Sequence, residues 1–360
     1  MRTVVLPFYA RLALLLLAIV LIFLILDEAS GIFIPLVFGL LTGILLYPLN
    51  KLFETRLRLG RAAAAGLSVV LFIATMAAFI YFMALQVIGF SSDLPTLKQR
   101  FQQIFDNAQY WLSYRLHITT RQQTLYINNT INGALNSVAH SLSNVFLSLT
   151  SILLFMIFIF IYTFFILYHR KLLMRFVLHL FSVPYRDRVK EVITETKSMI
   201  NSYVLGLLIE MLIVGVVNCS MFMIMGIQYA VLLGIMAAVL NIIPYLGIYT
   251  SIVITMLVTF ANSTGSIALE AGAALFIVHL IDSNVLFPRI VGGRVKMNPF
   301  ITILAVIVGE HLWGVPGMFL FIPLMGIVKL VCERVEGLEA WSILIGVDDE
   351  KKKLKPVPKK

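Results

Sequence analysis

Five ionisable residues lie inside long apolar stretches of the sequence, where a charged side chain costs roughly 2.5–3.5 kcal/mol to insert. They are Glu210, His279, Asp282, Glu310 and His311. Ionisable residues are rare in membrane segments because of this cost, and those that occur usually serve a function. These side chains are therefore candidates for an ion or substrate pathway. His279 and Asp282 are three residues apart, so they share one face of a helix and can pair. A structural role is an equally good interpretation of His279.

Polar groups near these residues extend the candidate pathway. The predicted pathway residues are Asn241, Tyr245, Asp282, Asn284, Glu310 and His311, with Glu210 and His279 as secondary candidates. Carboxylates together with unwound backbone carbonyls suit a proton or a hard cation such as Na⁺, whereas half-helix N-termini suit an anion. The alternative role for Glu310 is to cap freed backbone amides or to pair with a nearby basic residue. The alternative for Glu210 is a hydrogen bond to another helix.

Two apolar stretches, 229–261 and 299–331, are each interrupted by proline and glycine. A spanning helix needs about 20 apolar residues, so half of either stretch is too short. Proline removes a helix donor and glycine admits dihedral angles closed to other residues, so the interruptions predict tight tips of helical hairpins. Paired interruptions of this kind point to the binding site of a transporter. The predicted tip residues are Pro244, Gly247, Gly314, Pro316 and Gly317.

Composition excludes an ordinary soluble domain. The chain has 360 residues, of which 60% are hydrophobic and 13% are charged, whereas soluble domains carry about 25% charged residues. The net charge of +10 comes from basic residues beside apolar runs, which is typical of cytoplasmic loops facing anionic lipid and argues against a nucleic-acid partner. No enzyme, nucleotide-binding or metal-binding motif is present. We therefore expect no enzymatic activity and no cofactor, with transport driven by an ion gradient or by the solute's own gradient.

The apolar segments predict an all-α membrane fold with about six full transmembrane helices. They cover residues 12–26, 32–49, 62–90, 146–168, 199–226 and 267–287. Basic residues before the first segment and after the second place the N-terminus and that loop in the cytoplasm. Residues 91–145 are polar but helically periodic, which predicts an external amphipathic helical hairpin that packs on itself, on neighbouring subunits or on the membrane surface. Capture of a ligand is the alternative role for that hairpin.

The charges beside the two interrupted stretches predict their topology. The helix over 267–287 leads into basic residues, so its start is external and the stretch 229–261 begins and ends outside. The stretch 299–331 has basic residues at both ends, which places both ends in the cytoplasm. We therefore predict two re-entrant hairpins of opposite orientation, an inverted repeat, with tips that meet near the bilayer midplane. The alternative, two kinked spanning helices, would export the lysine-rich tail.

This topology predicts that successive parts of the chain have different roles. We expect the repeat to move against the N-terminal helices and so to give alternating access. The predicted parts are an N-terminal scaffold (1–90), the external hairpin (91–145), a transmembrane helix with a cytoplasmic amphipathic segment (146–198), a transport unit (199–335) and a cytoplasmic basic tail (336–360).

Six short segments between residues 200 and 330 follow a recognisable order and spacing. They are Asn-Ser-Tyr-Val-Leu-Gly at 201–206, Leu-Asn-Ile-Ile-Pro-Tyr-Leu-Gly at 240–247, Asp-Ser-Asn-Val-Leu-Phe-Pro-Arg-Ile-Val-Gly at 282–292, Asn-Pro at 298–299, residues 309–317, and Ile-Pro-Leu at 322–324. This pattern resembles the autoinducer-2 exporter family of bacterial membrane proteins, also called PerM-like permeases. The chain departs from the usual pattern at Ile248, where proline is common, at Asp282, where glutamate is usual, and at Glu310-His311, which replace small neutral residues.

The resemblance implies a multi-pass homo-oligomer of the bacterial inner membrane. Members of this family are linked to export of the quorum signal autoinducer-2, and others to sodium/proton exchange. We expect a secondary transporter that exports a small polar metabolite or signal, with membrane lipids as its surroundings, both termini cytoplasmic, and H⁺ or Na⁺ as the coupling ion. The alternatives are a sodium/proton antiporter, and a passive channel or envelope protein without transport.

Overall fold

The computed structural model describes residues 7–116, 152–243, 246–292, 295, 297–335 and 337–347. Within these residues every regular element is helical, apart from one isolated bridge between Met297 and Gly346. Seven of the described helices are long and apolar enough to cross a membrane. The predicted all-α, multi-pass membrane fold is confirmed.

Four helices form the N-terminal half of the chain. They are α1 (Phe8–Glu28), α2 (Ser30–Arg56), α3 (Arg61–Leu116) and α4 (Ile152–Leu180). No residue of α1 is buried, as befits a helix whose apolar side chains face lipid. The change from apolar to polar sequence near residue 90 does not interrupt α3, so the first limb of the predicted external hairpin begins as a continuation of that helix. The rest of that hairpin, and the basic tail beyond residue 347, lie outside the described residues.

The basic stretch 169–198, which falls in the predicted cytoplasmic amphipathic segment, belongs to the ends of two long helices. A short 3₁₀ turn, Val183–Tyr185, separates α4 from α5 (Arg186–Ile224). This turn contains Pro184, which lacks a backbone N–H and therefore does not fit a continuous helix. Lys, Arg and Glu are good helix formers, so each helix continues past its apolar part into a charged part.

The stretch 229–261 forms the first hairpin. It consists of α6 (Ala230–Leu240) and α7 (Leu246–Asn262), which pack against each other on either side of the interruption. A Cβ atom on Gly247 would overlap the carbonyl oxygen of Leu240, so this close turn requires glycine. Pro244 and Tyr245 lie outside the described residues. Next, α8 (Gly265–Ile281) packs on α7 and passes into two π-helical segments, Asp282–Leu286 and Pro288–Gly292.

The stretch 299–331 forms the second hairpin, α9 (Pro299–Cys332), whose chain reverses direction at Gly314. Gly314 has φ 60° and ψ −143°, a conformation open to glycine. Gly309 and Gly317 contact each other so closely that a Cβ on either would overlap the other's carbonyl oxygen. In a straight helix these residues would be about 12 Å apart. The seventh apolar helix is therefore a folded-back hairpin, as the sequence predicts. A short helix, α10 (Glu339–Ile345), follows.

The described residues form two compact units. The first contains residues up to Val69, Phe158–Leu208 and residues from Pro288 onward, and the second contains the described parts of Val70–Ile157 and Ile209–Phe287. The core of the first unit includes Leu41, Ile200, Trp313 and Leu320. The core of the second includes Phe222, Leu233, Ile248 and Leu275. Which parts of the chain move during transport remains a prediction.

Candidate functional site

The amide group of Asn241 bridges two buried carboxylates in the second unit. Its Nδ2 atom donates to Oε1 of Glu210 over 2.9 Å and to Oδ2 of Asp282 over 2.8 Å. The three residues come from α5, from the turn of the first hairpin and from the end of α8. We call these three residues the acidic cluster.

Asn241 occupies the cluster because α6 ends just before it. The N–H of Asn241 still donates to the carbonyl of Ala237, while the next residues form a turn. Asparagine is accepted at helix C-termini because its side chain tolerates the nearby turn conformations. The interruption therefore presents an amide side chain at the end of a helix.

Asp282 occupies the cluster at the point where α8 changes from α- to π-helical geometry. A π-helical turn holds an additional residue, and such turns are frequent at functional sites. The neighbouring polar side chains point elsewhere. Ser283 and Asn284 are exposed, and both donate to the carbonyl of Leu280.

A close contact in the first unit supports the approach of α5 to the π-helical region. A Cβ atom on Gly206 of α5 would lie 2.8 Å from the carbonyl oxygen of Ile290. Glycine at position 206 therefore lets two backbones approach more closely than any side chain would allow. Glu210 lies one helical turn further along α5.

The acidic cluster is secluded from solvent in the described structure. Glu210 and Asp282 each expose 3% of their surface, and Oδ1 of Asp282 is buried without a hydrogen-bond partner. Neither carboxylate pairs with a basic side chain in the part of the chain that the structure describes. A buried carboxylate without a counter-charge is strongly destabilised unless it holds a proton or a cation.

The two carboxylates cannot both be charged at low cost. Because both oxygens lie within hydrogen-bond distance of one nitrogen, they are no more than about 6 Å apart. At that distance and an effective dielectric constant of about 20, two negative charges repel by about 3 kcal/mol. The arrangement therefore favours one shared proton or one bound monovalent cation. A divalent metal is less suited, since Ca²⁺ and Mg²⁺ take about six or more oxygen ligands.

The other predicted pathway residues that the structure describes do not join this cluster. His279 is half-buried with an unpartnered Nδ1, and no hydrogen bond between His279 and Asp282 occurs among the described residues. Glu310 and His311 are exposed beside the turn of the second hairpin. Gly314 and Gly317 form that turn, with Pro316 between them.

Sequence reasoning missed two features around the cluster. Glu210, a secondary candidate from the sequence, accepts a hydrogen bond from Asn241, and its role in a pathway remains a prediction. A lone carboxylate in an apolar helix was the available signal. The contact of Gly206 and the π-helical start at Asp282 have no local sequence signal, because both arise from helix packing.

A helical membrane chain with two hairpins and a buried polar cluster at one hairpin turn has the architecture of a multi-pass transporter. The comparison with protein families gives the same class. The AI-2E family transporter model matches residues 12–337, and the chain belongs to this family.

Individual relatives match over different lengths. The chain is 25% identical to YrrI of Bacillus subtilis (strain 168) over 311 residues, which cover 83% of this chain and 85% of that protein. It is 32% identical to YueF of the same organism over 145 residues, 40% of this chain and 39% of YueF. TqsA of Escherichia coli (strain K12), named an AI-2 transport protein, is 29% identical over 136 residues, 37% of this chain and 39% of TqsA.

Proposed function

We propose that this protein is a secondary transporter that exports a small polar solute in exchange for a proton carried by the acidic cluster. The observation that carries this proposal is the bridging of two buried carboxylates, Glu210 and Asp282, by one amide group of Asn241. Side chains of this kind inside a membrane mark ion pathways and proton relays.

The cluster suits the coupling of solute movement to proton movement because its net charge depends on whether a proton is bound. With one proton bound, the repulsion between the carboxylates is relieved and the cluster is stable in an apolar setting. Opening to water solvates the carboxylates and allows the proton to leave. Movement of the first hairpin would break the bridge, since Asn241 belongs to its turn.

The solute to test first is AI-2, because the relative TqsA is named an AI-2 transport protein. The proposal includes Tyr245, Asn284, Glu310 and His311 as groups along the solute pathway. It also places the protein in the bacterial inner membrane as a homo-oligomer with both termini in the cytoplasm.

Efflux from reconstituted vesicles tests the proposal. Vesicles loaded with AI-2 are diluted into buffer at equal or lower pH, and retained AI-2 is measured over time. Wild-type protein should release AI-2 faster when the outside is acidic, and Glu210→Gln and Asp282→Asn should lose this acceleration. Glu270→Gln is the matched control, because Glu270 is an exposed carboxylate on the same helix as Asp282. Equal acceleration in all four proteins would contradict coupling at the cluster.

A sodium/proton antiporter is the second candidate, favoured by the buried unpartnered Oδ1 of Asp282. Such an oxygen is a ready ligand for Na⁺. A sodium pulse applied to vesicles that contain a pH-sensitive dye should then move protons without AI-2, and Asp282→Asn should abolish the signal. A steady conductance in planar bilayers would instead identify a passive channel.

A further inference from the structure

An open cavity of about 620 Å³ lies at the surface of the first unit, between the start of α3 and the second half of α4. Its lining residues include the exposed Arg61, Lys171 and Arg175, together with Tyr168 and His169. This volume is within the range of small-molecule sites, about 300–1,000 Å³. In the described structure none of the lining side chains is acidic.

The three strong cations of this cavity have no counter-ion among the residues that the structure describes. No carboxylate of the described residues pairs with Arg61, Lys171 or Arg175. The nearby carboxylate of Glu54 is already paired with Arg170, whose guanidinium also lies 5.3 Å from the ring centroid of Tyr47. The cavity therefore concentrates positive charge that an external anion can neutralise.

The position of the cavity identifies the kind of anion. Arg61 is the first residue of a span-length helix, and α4 changes from apolar to basic sequence at His169. Both features mark the boundary between the hydrocarbon core and the headgroup region. Basic pockets between transmembrane helices at this depth are suited to phosphate headgroups. Guanidinium groups bind phosphate oxygens in bidentate fashion, and the phenol of Tyr168 adds a further donor.

We propose that this cavity binds a phosphate-bearing anion, with the headgroup of an anionic lipid as the favoured source. Each cation contributes separately, so neutralising one should weaken binding about fivefold, and neutralising all three should weaken it about a hundredfold. The site is independent of the acidic cluster and of the transported solute.

Native mass spectrometry of the purified full-length protein tests this site. Wild type and the Arg61→Gln/Lys171→Gln/Arg175→Gln variant are titrated with dioleoyl phosphatidylglycerol, with dioleoyl phosphatidylcholine as the zwitterionic control. Wild type should retain phosphatidylglycerol preferentially, and the triple variant should lose this preference. A charge-preserving variant, Arg61→Lys/Lys171→Arg/Arg175→Lys, should keep most of the binding and shows that folding is intact.

One further arm controls for the position of the charge, and another identifies the source of the phosphate. Lys190→Gln, which neutralises an exposed lysine of α5 outside the cavity, should bind phosphatidylglycerol like wild type. If millimolar inorganic phosphate binds and phosphatidylglycerol shows no preference, the ligand is a soluble phosphate compound and the cavity still binds phosphate. If neither probe distinguishes wild type from the triple variant, the proposal is overturned.

Discussion

The two hairpins of this transporter turn back at similar segments rich in proline and glycine, yet the turns are held in different ways. In the first hairpin, the amide of Asn241 bonds to carboxylates of two other helices. In the second, Gly309 and Gly317 bring the two limbs into backbone contact. The polar residues next to this second turn, Glu310 and His311, are exposed.

The second turn is anchored by an aromatic residue instead of a carboxylate. The indole N–H of Trp313 donates to the carbonyl oxygen of Leu26 in α1 over 2.9 Å, and its ring packs 5.4 Å from that of Phe321. These contacts stabilise the turn of the second hairpin, whereas the acidic cluster contains carboxylates that can gain or lose a proton. An interruption alone therefore does not identify a site; a site also needs ionisable partners from other helices.

The largest effect is expected from Gly317→Val. The new side chain would overlap the backbone of Gly309, and a contact with backbone cannot be relieved by rotating a side chain, so we expect destabilisation of more than about 3 kcal/mol. The yield of monodisperse protein and its thermal midpoint measure this. Gly31→Val is the control, because an added Cβ at Gly31 meets no atom within 4 Å. A normal thermal midpoint for Gly317→Val would show that the limbs are not in contact.

Asn241→Leu tests the first hairpin in the same way. It keeps a similar volume but removes the bridge, which leaves two buried carboxylates unsatisfied at about 1–3 kcal/mol each. We expect proton-coupled efflux to fall at least about tenfold while the protein remains folded. Thr250→Leu, at an exposed hydroxyl that bonds within its own helix and lies outside the proposed pathway, should change efflux little. Similar losses in both variants would mean that the bridge has no special role.

Trp313→Phe is expected to have a smaller effect. It removes one hydrogen bond and leaves the carbonyl of Leu26 unsatisfied, which should cost about 1 kcal/mol and lower the thermal midpoint by about 2–4 °C. Coupling by the acidic cluster should persist in vesicles. Loss of coupling at an unchanged thermal midpoint would assign Trp313 to transport and not to packing.

The smallest effect is expected from Glu310→Gln, which neutralises an exposed carboxylate beside the second turn. The comparison of the two turns predicts that Glu310→Gln lowers coupled efflux much less than Asn241→Leu does in the same vesicle assay. An equal loss would show that Glu310 contributes to coupled efflux as much as the acidic cluster does.

Much of the fold could be predicted because hydrophobic length and charge act locally. Apolar runs predict the helices, and the prolines and glycines at 244–247 and 314–317 predict both turns. Asn241 and Asp282 stand out because polar groups are rare in such segments. Their bridge to Glu210 depends on the packing of α5 against distant elements, which no local pattern encodes. The long charged ends of α4 and α5 were missed because hydropathy reports membrane depth and not where a helix ends.

The hydrogen bond between Trp313 and Leu26 also indicates how deep the second turn lies in the membrane. The 21 residues of α1 extend about 31 Å, close to the hydrocarbon thickness of a bilayer, and Leu26 lies in its last turn. The hydrogen bond therefore holds Trp313 near the membrane surface at which α1 ends. If this hairpin starts from the opposite surface, as the flanking charges predict, it must then cross most of the hydrocarbon before it turns. The predicted topology would then place the second turn nearer a membrane surface than the predicted midplane, within reach of headgroups and water, where an exposed Glu310 and His311 carry little penalty.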